Sequence, residues 1–519
     1  MKGIGKYLVA ALSLIFAASI LLTSCLNPRV PDKGMIGGPT DDGAGRETVL
    51  NEPDDSILPG DKGWETDVPE DDEHYGHGED VPCSCVPEMT DPLTTGNEGE
   101  TAPDTTETAP QTTPADPSVD DLDFSGMNFV FWAPLPEENA YDLFLPEEDS
   151  EDTIEAALYR RKQRIEEKLN LRLIAEYIEN APKKVEVMLF AYDSAFFVSL
   201  LPENTLHRIL SLGMMSDLLK LPYLDLWGDG FDVTSAKAYQ ANGAMFAVSG
   251  DVTLSRIQET QAFFYNAAQV DGEKMVELVM NGEWTLERYL TMTKGAVAGS
   301  ALQQAELLYF GSGNRLVAPD ANDDPSAAWD TNRIEELVLA LAKAEKPLAD
   351  APQADAFFSG ETSFLAATYG EMLKRDIPFA CGVLPPPKLD AKQRYYATTA
   401  ANPLMITVPY FVLPTSSYEC KATGAVLQAM CAEAEPITTA YRERLANHMQ
   451  MGASGIELLD LVCEAVVWDL GAGSMERSGI LAVAKQTLFP RDMKTFSAVA
   501  DRLEAELADY RLQMAQLWT

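Results

Sequence analysis

The segment Phe124-Ser-Gly-Met-Asn-Phe-Val-Phe-Trp132 opens the strand–helix–strand unit that decides the fold. Its aromatic and β-branched end lacks helical spacing, which predicts a β-strand. Asp152 is a suitable helix N-cap, with Glu155 at the capping-box position, and a helical pattern of apolar residues follows. The run Leu171-Arg-Leu-Ile174 predicts a second strand. A helix between two strands favours an α/β fold with a parallel sheet.

Further elements are predicted along the rest of the chain. Residues 185–192 and 243–249 are rich in apolar residues, and we predict strands there. Residues 285–293 and 334–344 carry apolar side chains at helical spacing, and each stretch predicts a helix. The folded part therefore starts near Asp123 and is expected to run to residue 519.

The first 25 residues have the pattern of a bacterial lipoprotein signal. Lys2 and Lys6 precede an apolar run over residues 7–22, and Leu22-Thr23-Ser24-Cys25 ends it in a lipobox. The run is shorter than the ~20 residues of a membrane span, and small residues follow it. We predict a signal peptide over residues 1–24 and lipidation of Cys25. An uncleaved N-terminal anchor is the alternative. Both place the chain outside the cytoplasm, at the outer face of the cell membrane.

Residues 25–122 predict a lipidated cysteine followed by a disordered tether. The segment is rich in Pro, Gly, Thr and acidic residues and poor in aromatic residues, and residues 101–117 are of low complexity. Such a composition cannot bury enough apolar surface to offset the entropy of ordering. Like-charge repulsion and proline extend the chain. We expect it to hold residues 123–519 away from the membrane.

The net charge of the chain argues against some classes of binding partner. The chain of 519 residues carries a formal charge of −42, and both the tether and the folded part are acidic. A surface of this sign repels phosphate backbones and anionic lipid, which argues against nucleic-acid binding. Beyond the signal no run approaches ~18 apolar residues, so no further membrane span is predicted.

The cysteines and histidines leave two questions open. Cys381, Cys420, Cys431 and Cys463 match no zinc-site spacing, and they are either buried thiols or disulfides. In the tether, His74, His77, Cys83 and Cys85 lie among acidic residues. That patch is either a flexible transition-metal site or a chance cluster, and we predict neither a metal nor a cofactor for this protein.

Six sequence blocks, in order over about 400 residues, resemble the extracellular solute-binding proteins of ABC importers, family 1, of carbohydrate type. The blocks are Asp152-Thr-Ile-Glu-Ala-Ala-Leu-Tyr-Arg-Arg161, Tyr192-Asp193, Ser216-Asp-Leu-Leu-Lys-Leu-Pro-Tyr-Leu-Asp225, Gly282-Glu-Trp-Thr-Leu286, Cys381-Gly-Val-Leu-Pro-Pro-Pro-Lys388, and Leu458-Leu-Asp-Leu-Val462 with Trp468-Asp-Leu-Gly471. The chain departs from the family at Leu226-Trp-Gly-Asp-Gly-Phe231, where relatives often have Pro-Trp-Trp, and at Phe264-Tyr-Asn-Ala267, where they often have Phe-Asn-Lys.

The resemblance implies a two-lobed periplasmic-binding-protein-like fold of type 2, with a ligand cleft between lobes joined by crossing strands. It implies a monomeric receptor that delivers a small solute, foremost a sugar, to the permease of an ABC importer. Hinge closure then buries the ligand. Such a receptor needs no catalytic group, because its output is a shape that the membrane partner recognises.

Seven residues are our predicted ligand-binding set, on the physical ground that aromatic faces pack on sugar rings and polar side chains bind hydroxyls. They are Trp132, Asp193, Trp227, Phe231, Asp251, Arg256 and Trp329. Trp132 ends the first strand, where α/β ligand sites gather, and Asp193 ends the next predicted strand. Trp227 and Phe231 lie in the predicted crossing loop, Asp251 and Arg256 follow the turn at Gly250, and Trp329 follows the polar loop over residues 319–325. Each has a structural alternative: core packing, helix capping, interlobe packing or an exposed ion pair.

Two other function classes remain open at this stage. A ligand sensor or surface scaffold with the same fold would carry the same residues. A carbohydrate-active enzyme is the weaker alternative, because paired carboxylates are present but no nucleophile elbow, zinc-protease motif or phosphate-binding loop accompanies them. We therefore predict a protein that is not an enzyme.

Overall fold

The computed structural model describes residues 122–136, 144–322, 324–341, 351–412 and 417–471, and a few residues between 501 and 512. These residues all fall in one compact unit that spans residues 106–519. The signal peptide, Cys25, the tether to residue 121 and its His74, His77, Cys83 and Cys85 patch lie outside the described residues. No helix among the described residues is long and apolar enough to cross a membrane.

The strands are β1 Met127–Pro134, β2 Leu171–Ile178, β3 Val198–Pro202, β4 Phe231–Asp232, β5 Gln240–Ala241, β6 Ala244–Met245, β7 Ser249–Gly250, β8 Gln261–Asn266, β9 Val297–Ala298, β10 Val317–Pro319, β11 Pro325–Ala327, β12 Phe364–Thr368, β13 Cys381–Leu384 and β14 Leu404–Thr407. The α-helices are α1 Thr153–Leu169, α2 Ala181–Ala191, α3 Leu206–Leu210, α4 Val233–Ala238, α5 Ser255–Gln258, α6 Gly272–Met280, α7 Leu286–Thr293, α8 Ala301–Gly311, α9 Thr331–Leu341, α10 Asp355–Phe358, α11 Tyr369–Leu373, α12 Tyr418–Ala432, α13 Glu435–His448 and α14 Ala453–Glu464.

The first lobe is built on a sheet of order β14-β3-β1-β2. β1 runs parallel to β2 over its whole length and parallel to β3, whereas β14 is antiparallel to β3. Helix α1 begins as predicted, because the Asp152 Oδ1 accepts hydrogen bonds from the Ile154 and Glu155 amides at 2.9 and 3.3 Å. These bonds satisfy two donors that the helix itself leaves unpaired.

The second lobe is built on a sheet of order β13-β8-β12-β9. β9 and β12 are parallel, and β8 runs antiparallel to both β12 and β13. Every residue of β8 is buried, because this strand lies between two neighbours and is covered on both faces. A strand buried in this way shows a continuous apolar run rather than alternation.

Two segments carry the chain between the lobes, residues 248–261 outward and residues 398–407 on the return; we call them the crossing segments. They run side by side and bond to each other. The Val248 and Ile406 amides and carbonyls exchange hydrogen bonds of 3.2 and 2.8 Å, and the Gln261 amide donates to the Thr399 carbonyl at 3.0 Å. The predicted α/β fold, two lobes joined by crossing strands, is therefore confirmed.

Helix α13 also contacts both lobes. Arg444 on α13 pairs with Asp152 at the start of α1 at 2.7 Å. One turn further along α13, the His448 Nε2 lies 2.8 Å from the Arg375 carbonyl of the second lobe. The Met449 carbonyl, just beyond it, accepts from the Cys381 amide at 2.8 Å. The helix is thus a third attachment between the lobes.

The strand predicted over residues 185–192 is wrong, because this stretch belongs to helix α2. Pro182 lies in the first turn, and the buried residues Ala181, Val185 and Leu189 recur every fourth position. That spacing is helical, and it overrides the strand propensity of the individual residues. The strand predicted over residues 243–249 is broken into β6 and β7. The helices predicted over residues 285–293 and 334–344 correspond to α7 and α9, and residues 342–344 lie outside the described residues.

Cys381, Cys420 and Cys431 are buried free thiols in the structure, and Cys463 is a half-buried one. Burial raises the pKa of the Cys420 and Cys463 thiols to about 11. Thiols of this kind stay protonated at neutral pH and behave as small apolar groups of the core.

Candidate functional site

A cleft of about 670 Å³ lies between the two lobes. The carboxyl ends of the parallel strands β1 and β3 border it on one side, and helices of the second lobe border it on the other. Ligands of open α/β sheets bind at this edge, because the loops after the strands can be varied without disturbing the core. The crossing segments form the floor of the cleft.

The wall that the first lobe contributes is apolar. It consists of Ala133, Pro134, Leu135, Pro136 and Pro202, at the ends of β1 and β3. Leu135 is 55% exposed and offers free apolar surface in the open cleft. A wall of this kind can pack against the C–H face of a ligand but can donate few hydrogen bonds.

The floor is polar and rigidly bonded. Gln261, which is fully buried, donates from Nε2 to the Thr399 hydroxyl at 2.9 Å and thereby ties the two crossing segments together. The Ser255 hydroxyl accepts from the Leu404 amide at 2.6 Å. Because hydrogen bonds hold these amide and hydroxyl groups within the crossing segments, the hinge is bonded in fixed directions and does not depend on a mobile loop.

The second lobe contributes the opposite wall of the cleft, which includes the N-terminal ends of helices α8 and α11. Ser300 caps α8, accepting at its hydroxyl from the Gln303 amide at 3.4 Å. Thr368 caps α11 in a full capping box with Glu371, through bonds of 3.1 and 2.7 Å. Glu306, on helix α8 one turn after Gln303, also lines the cleft. Hydroxyl, amide and carboxylate groups therefore line this side.

A buried carboxyl group lies behind the floor. Glu203 follows β3, is 6% exposed and accepts a short hydrogen bond from the Tyr239 hydroxyl. Burial is the main cause that raises the pKa of Glu203 to about 8, and the carboxylates of Glu306 and Asp469 raise it further. Glu203 is therefore largely protonated at neutral pH. Asp469, also buried, has a pKa raised to about 6 for the same main reason.

None of the seven predicted ligand-binding residues is among the described residues that line this cleft. Trp132 is 6% exposed, stacks on Phe196 with ring centroids 4.4 Å apart, and donates its indole N–H to Glu176 at 2.9 Å. It belongs to the core of the first lobe, although its chain neighbours Ala133 and Pro134 reach the cleft.

Trp227 and Phe231 lie in a loop that packs on helix α12. The Asp225 amide donates to the Gln428 side chain at 2.8 Å, and a Cβ on Gly230 would come within 2.4 Å of the Cys431 carbonyl. The loop backbone packs closely on α12, whereas the Trp227 side chain is 61% exposed on the surface. Phe231 is half-buried in β4 against Gly250. The altered loop thus lies beside α12, and neither Trp227 nor Phe231 is among the described residues that line the cleft.

Asp251 and Arg256 form an ion pair with an Nη2–Oδ1 distance of 3.1 Å, and both side chains are mostly buried. Burial lowers the pKa of Arg256, but Asp251 and Asp232 outweigh it and leave the pKa raised. The pair stabilises the bend between β7 and α5 in the first crossing segment. The alternative of an exposed ion pair is wrong, because both side chains are mostly buried.

Asp193 and Trp329 are also outside the cleft lining. Asp193 is exposed and precedes β3, so it lies at the amino end of a strand whose carboxyl end borders the cleft. Its predicted position at a strand end depends on the strand wrongly predicted over residues 185–192. Trp329 is half-buried and packs on the core before α9. As ligand-binding residues all seven stay predictions, which the position of the cleft does not favour.

Sequence reasoning missed the residues that do line the cleft, but two signals were present. A proline pair, Pro134 and Pro136, ends the first strand, and the pattern Thr368-x-x-Glu371 marks a helix start directly after the buried strand β12. The prolines indicate the end of a strand, and the capping box indicates the start of a helix. Among the described residues, no group of three or more His, Cys, Asp or Glu side chains is arranged to hold a metal ion.

No protein-family model and no curated protein matches the chain. Similar solved structures include the ABC substrate-binding protein Lmo0181 from Listeria monocytogenes with cycloalternan, which is 12% identical with a TM-score of 0.44, the match covering 74% of this chain and 99% of that one. The galacto-N-biose-/lacto-N-biose I-binding protein of the ABC transporter from Bifidobacterium longum is 11% identical with a TM-score of 0.47, covering 75% and 98%. An ABC transporter associated binding protein from B. animalis subsp. lactis with β-1,6-galactobiose is 13% identical with a TM-score of 0.45, covering 75% and 98%. These similarities are distant, and the two-lobed architecture rests on the chain's own strand order and crossing segments.

Proposed function

We propose that this protein is an extracytoplasmic solute-binding receptor that captures a small solute, foremost a carbohydrate, and delivers it to an ABC importer. The observation that carries the proposal is the cleft between two α/β lobes, bordered by strand ends and floored by the crossing segments. A hinge of two bonded segments lets the lobes close on a ligand. The six sequence blocks that resemble family 1 receptors support the same function.

The cleft has the two kinds of surface that a sugar needs. The Pro134, Leu135 and Pro136 side can pack on the C–H face of a pyranose ring. The opposite side and the floor bring amide and hydroxyl groups such as Gln258 and Thr368, which can bond to hydroxyls. When the lobes close, water is excluded from these hydrogen bonds, so a ligand whose hydroxyls point in other directions binds less tightly.

The ligand is tested by a thermal-shift screen of the purified full chain against mono- and oligosaccharides, polyols, amino acids and short peptides. A ligand at 100 times its Kd stabilises the folded state by ~2.7 kcal/mol, a few degrees for a chain of this size. Ala401 is exposed within the cleft, and Ala401→Trp is expected to fill it and abolish the shift. Ala453→Trp, at an exposed position outside the cleft lining, is the matched control and should keep the shift. Equal shifts in both variants would place the ligand elsewhere and contradict the proposal.

We also propose that Cys25 carries the lipid anchor, because the lipobox precedes the tether. In the producing bacterium, a fatty-acid analogue is expected to label the protein, and Cys25→Ser should abolish that label. Cys83→Ser, in the tether, is the control and should stay labelled. Labelling that survives Cys25→Ser would rule out this anchor, and no label on either form would favour the uncleaved alternative.

A further inference from the structure

Leucine side chains line the cleft on both walls and on the floor. Among the described lining residues there are four of them: one follows β1, one lies in the return crossing segment and two belong to the second-lobe helices α8 and α11. They are Leu135, Leu404, Leu302 and Leu373. A single exposed leucine on a protein surface is ordinary. Leucines that both lobes and the hinge contribute to one cleft form an apolar lining on both sides of a bound ligand.

The two leucines with the most exposed surface belong to opposite walls. Leu135, just after β1 in the first lobe, is 55% exposed, and Leu302, in the first turn of α8 in the second lobe, is 48% exposed. Leu302 lies one helical turn before Glu306, which also lines the cleft, so both are on the cleft face of α8. The same helix buries Leu307 and Leu308 in the core. Leu302 therefore contributes to the cleft and not to the core.

The shape of these side chains distinguishes between kinds of ligand. An aromatic ring offers a flat surface to the C–H face of a sugar. The aromatic side chain among the described residues that line the cleft is Tyr441, and it is fully buried, so its ring face is not offered to a ligand. A leucine side chain ends in two methyl groups on a branched carbon. Such an end is convex, and it makes its closest contacts with another aliphatic group.

Closure of the lobes turns this difference in shape into a difference in affinity. When the lobes close, water leaves the leucines, and an aliphatic group of the ligand that takes its place stabilises the closed form. A hydroxyl pressed against a leucine loses a hydrogen bond to water and gains none in return. The amide and hydroxyl groups elsewhere in the cleft still require polar partners. The volume of about 670 Å³ lies in the range of pockets that hold drug-sized ligands, ~300–1,000 Å³, so both parts of such a ligand have room.

We infer that the ligand of this cleft is a carbohydrate that carries an aliphatic substituent, and that Leu135 and Leu302 hold this substituent between the two lobes. The inference rests on the proposed receptor function and narrows it to a class of substrate. In this arrangement the hydroxyl groups of the sugar bond to the polar groups of the cleft, and the substituent replaces water on the leucines.

The experiment is a calorimetric titration of the full chain at pH 7 with matched glycosides. Both anomers of the methyl and butyl glycosides of glucose, galactose and mannose are compared, so that each pair differs only by three methylene groups. A methylene group buried in an apolar site is worth about a fourfold gain in affinity. We expect at least one butyl glycoside to bind about tenfold or more tightly than its methyl counterpart.

Variants identify the side chains responsible. Glutamine is close to leucine in size and in helix propensity, but its end is polar. Leu302→Gln and Leu135→Gln should each lower the ratio of butyl to methyl affinity to about threefold or less. Leu339→Gln is the matched control, because Leu339 is 53% exposed on α9 and is not among the described residues that line the cleft. It should keep the ratio of the unmodified chain. Melting temperatures of the unliganded variants establish that each is folded.

The other outcomes contradict the inference in different ways. Methyl glycosides that bind as tightly as their butyl counterparts would overturn the aliphatic substituent and leave the receptor function standing. A ratio that both cleft variants leave unchanged would overturn the role of the two leucines. If no glycoside of the series binds, the inference fails. If no solute of the wider screen binds either, the proposed function fails with it.

Discussion

Replacing Arg161 with methionine is expected to lower the free energy of unfolding by about 4 kcal/mol, the largest effect of any single substitution considered for this chain. Arg161 on α1 is 1% exposed. Its guanidinium donates to the Asp251 and Val252 carbonyls at 2.8 Å each and to the Met430 carbonyl at 3.2 Å. Methionine fills the same space but makes none of these bonds, so the buried carbonyls lose these donors.

Urea unfolding followed by circular dichroism measures this loss. Arg160 is the matched control, because it is the preceding residue of the same helix and is exposed. Arg160→Met should change the free energy of unfolding by ~0.5 kcal/mol or less. Similar costs for the two substitutions would mean that the guanidinium bonds do not hold α1 to the first crossing segment and α12.

The stability of the protein is expected to fall as the pH rises from about 5 to 8, and Glu203→Gln should flatten that fall. The pKa of Glu203 is about 8 in the folded state against an ordinary value of 4.5. Between these two values the folded chain holds a proton that the unfolded chain has released, so raising the pH favours unfolding. The slope approaches ~1.4 kcal/mol per pH unit for one proton. The total loss is on the order of a few kcal/mol.

The measurement is urea unfolding at pH 5, 6, 7, 8 and 9 for the unmodified chain and the variant. Asp469 titrates in the same direction only up to about pH 6, so the interval from pH 6 to 8 isolates Glu203. Glu167→Gln, at an exposed position of α1, is the control and should keep the unmodified slope. An equal slope for Glu203→Gln would show that Glu203 is ionised in the folded state.

The sequence predicts the β1–α1–β2 unit of the first lobe well because its signals are local. The strand before Asp152, the N-cap itself and the strand after α1 are each set by residues close together in the chain. The part of helix α2 predicted as a strand, residues 185–191, is mostly apolar, and the spacing of four between the buried residues Ala181, Val185 and Leu189 reveals the helix. The same error puts Asp193 at the wrong end of a strand.

The candidate site could not be predicted in the same way, because its position depends on which strand ends converge. Trp132 lies near the end of β1 as predicted, yet its ring turns into the core against Phe196 and leaves the cleft to Ala133 and Pro134. Glu306 carries no local signal at all. It reaches the floor because β8 and the return segment bring Gln261 and Thr399 beside α8, contacts between residues 45 and 93 positions apart.

The attachment of helix α13 to both lobes has a mechanical consequence. Two bonded strands alone would act as a ribbon, which bends easily but also twists. Helix α13 is joined to the first lobe through Arg444 and to the second lobe through His448, one turn apart, so it resists the twist, and the remaining easy motion is opening and closing about one axis. Tyr441 lies on this helix one turn before Arg444 and also lines the cleft, so a ligand bound there borders the helix that joins the two lobes.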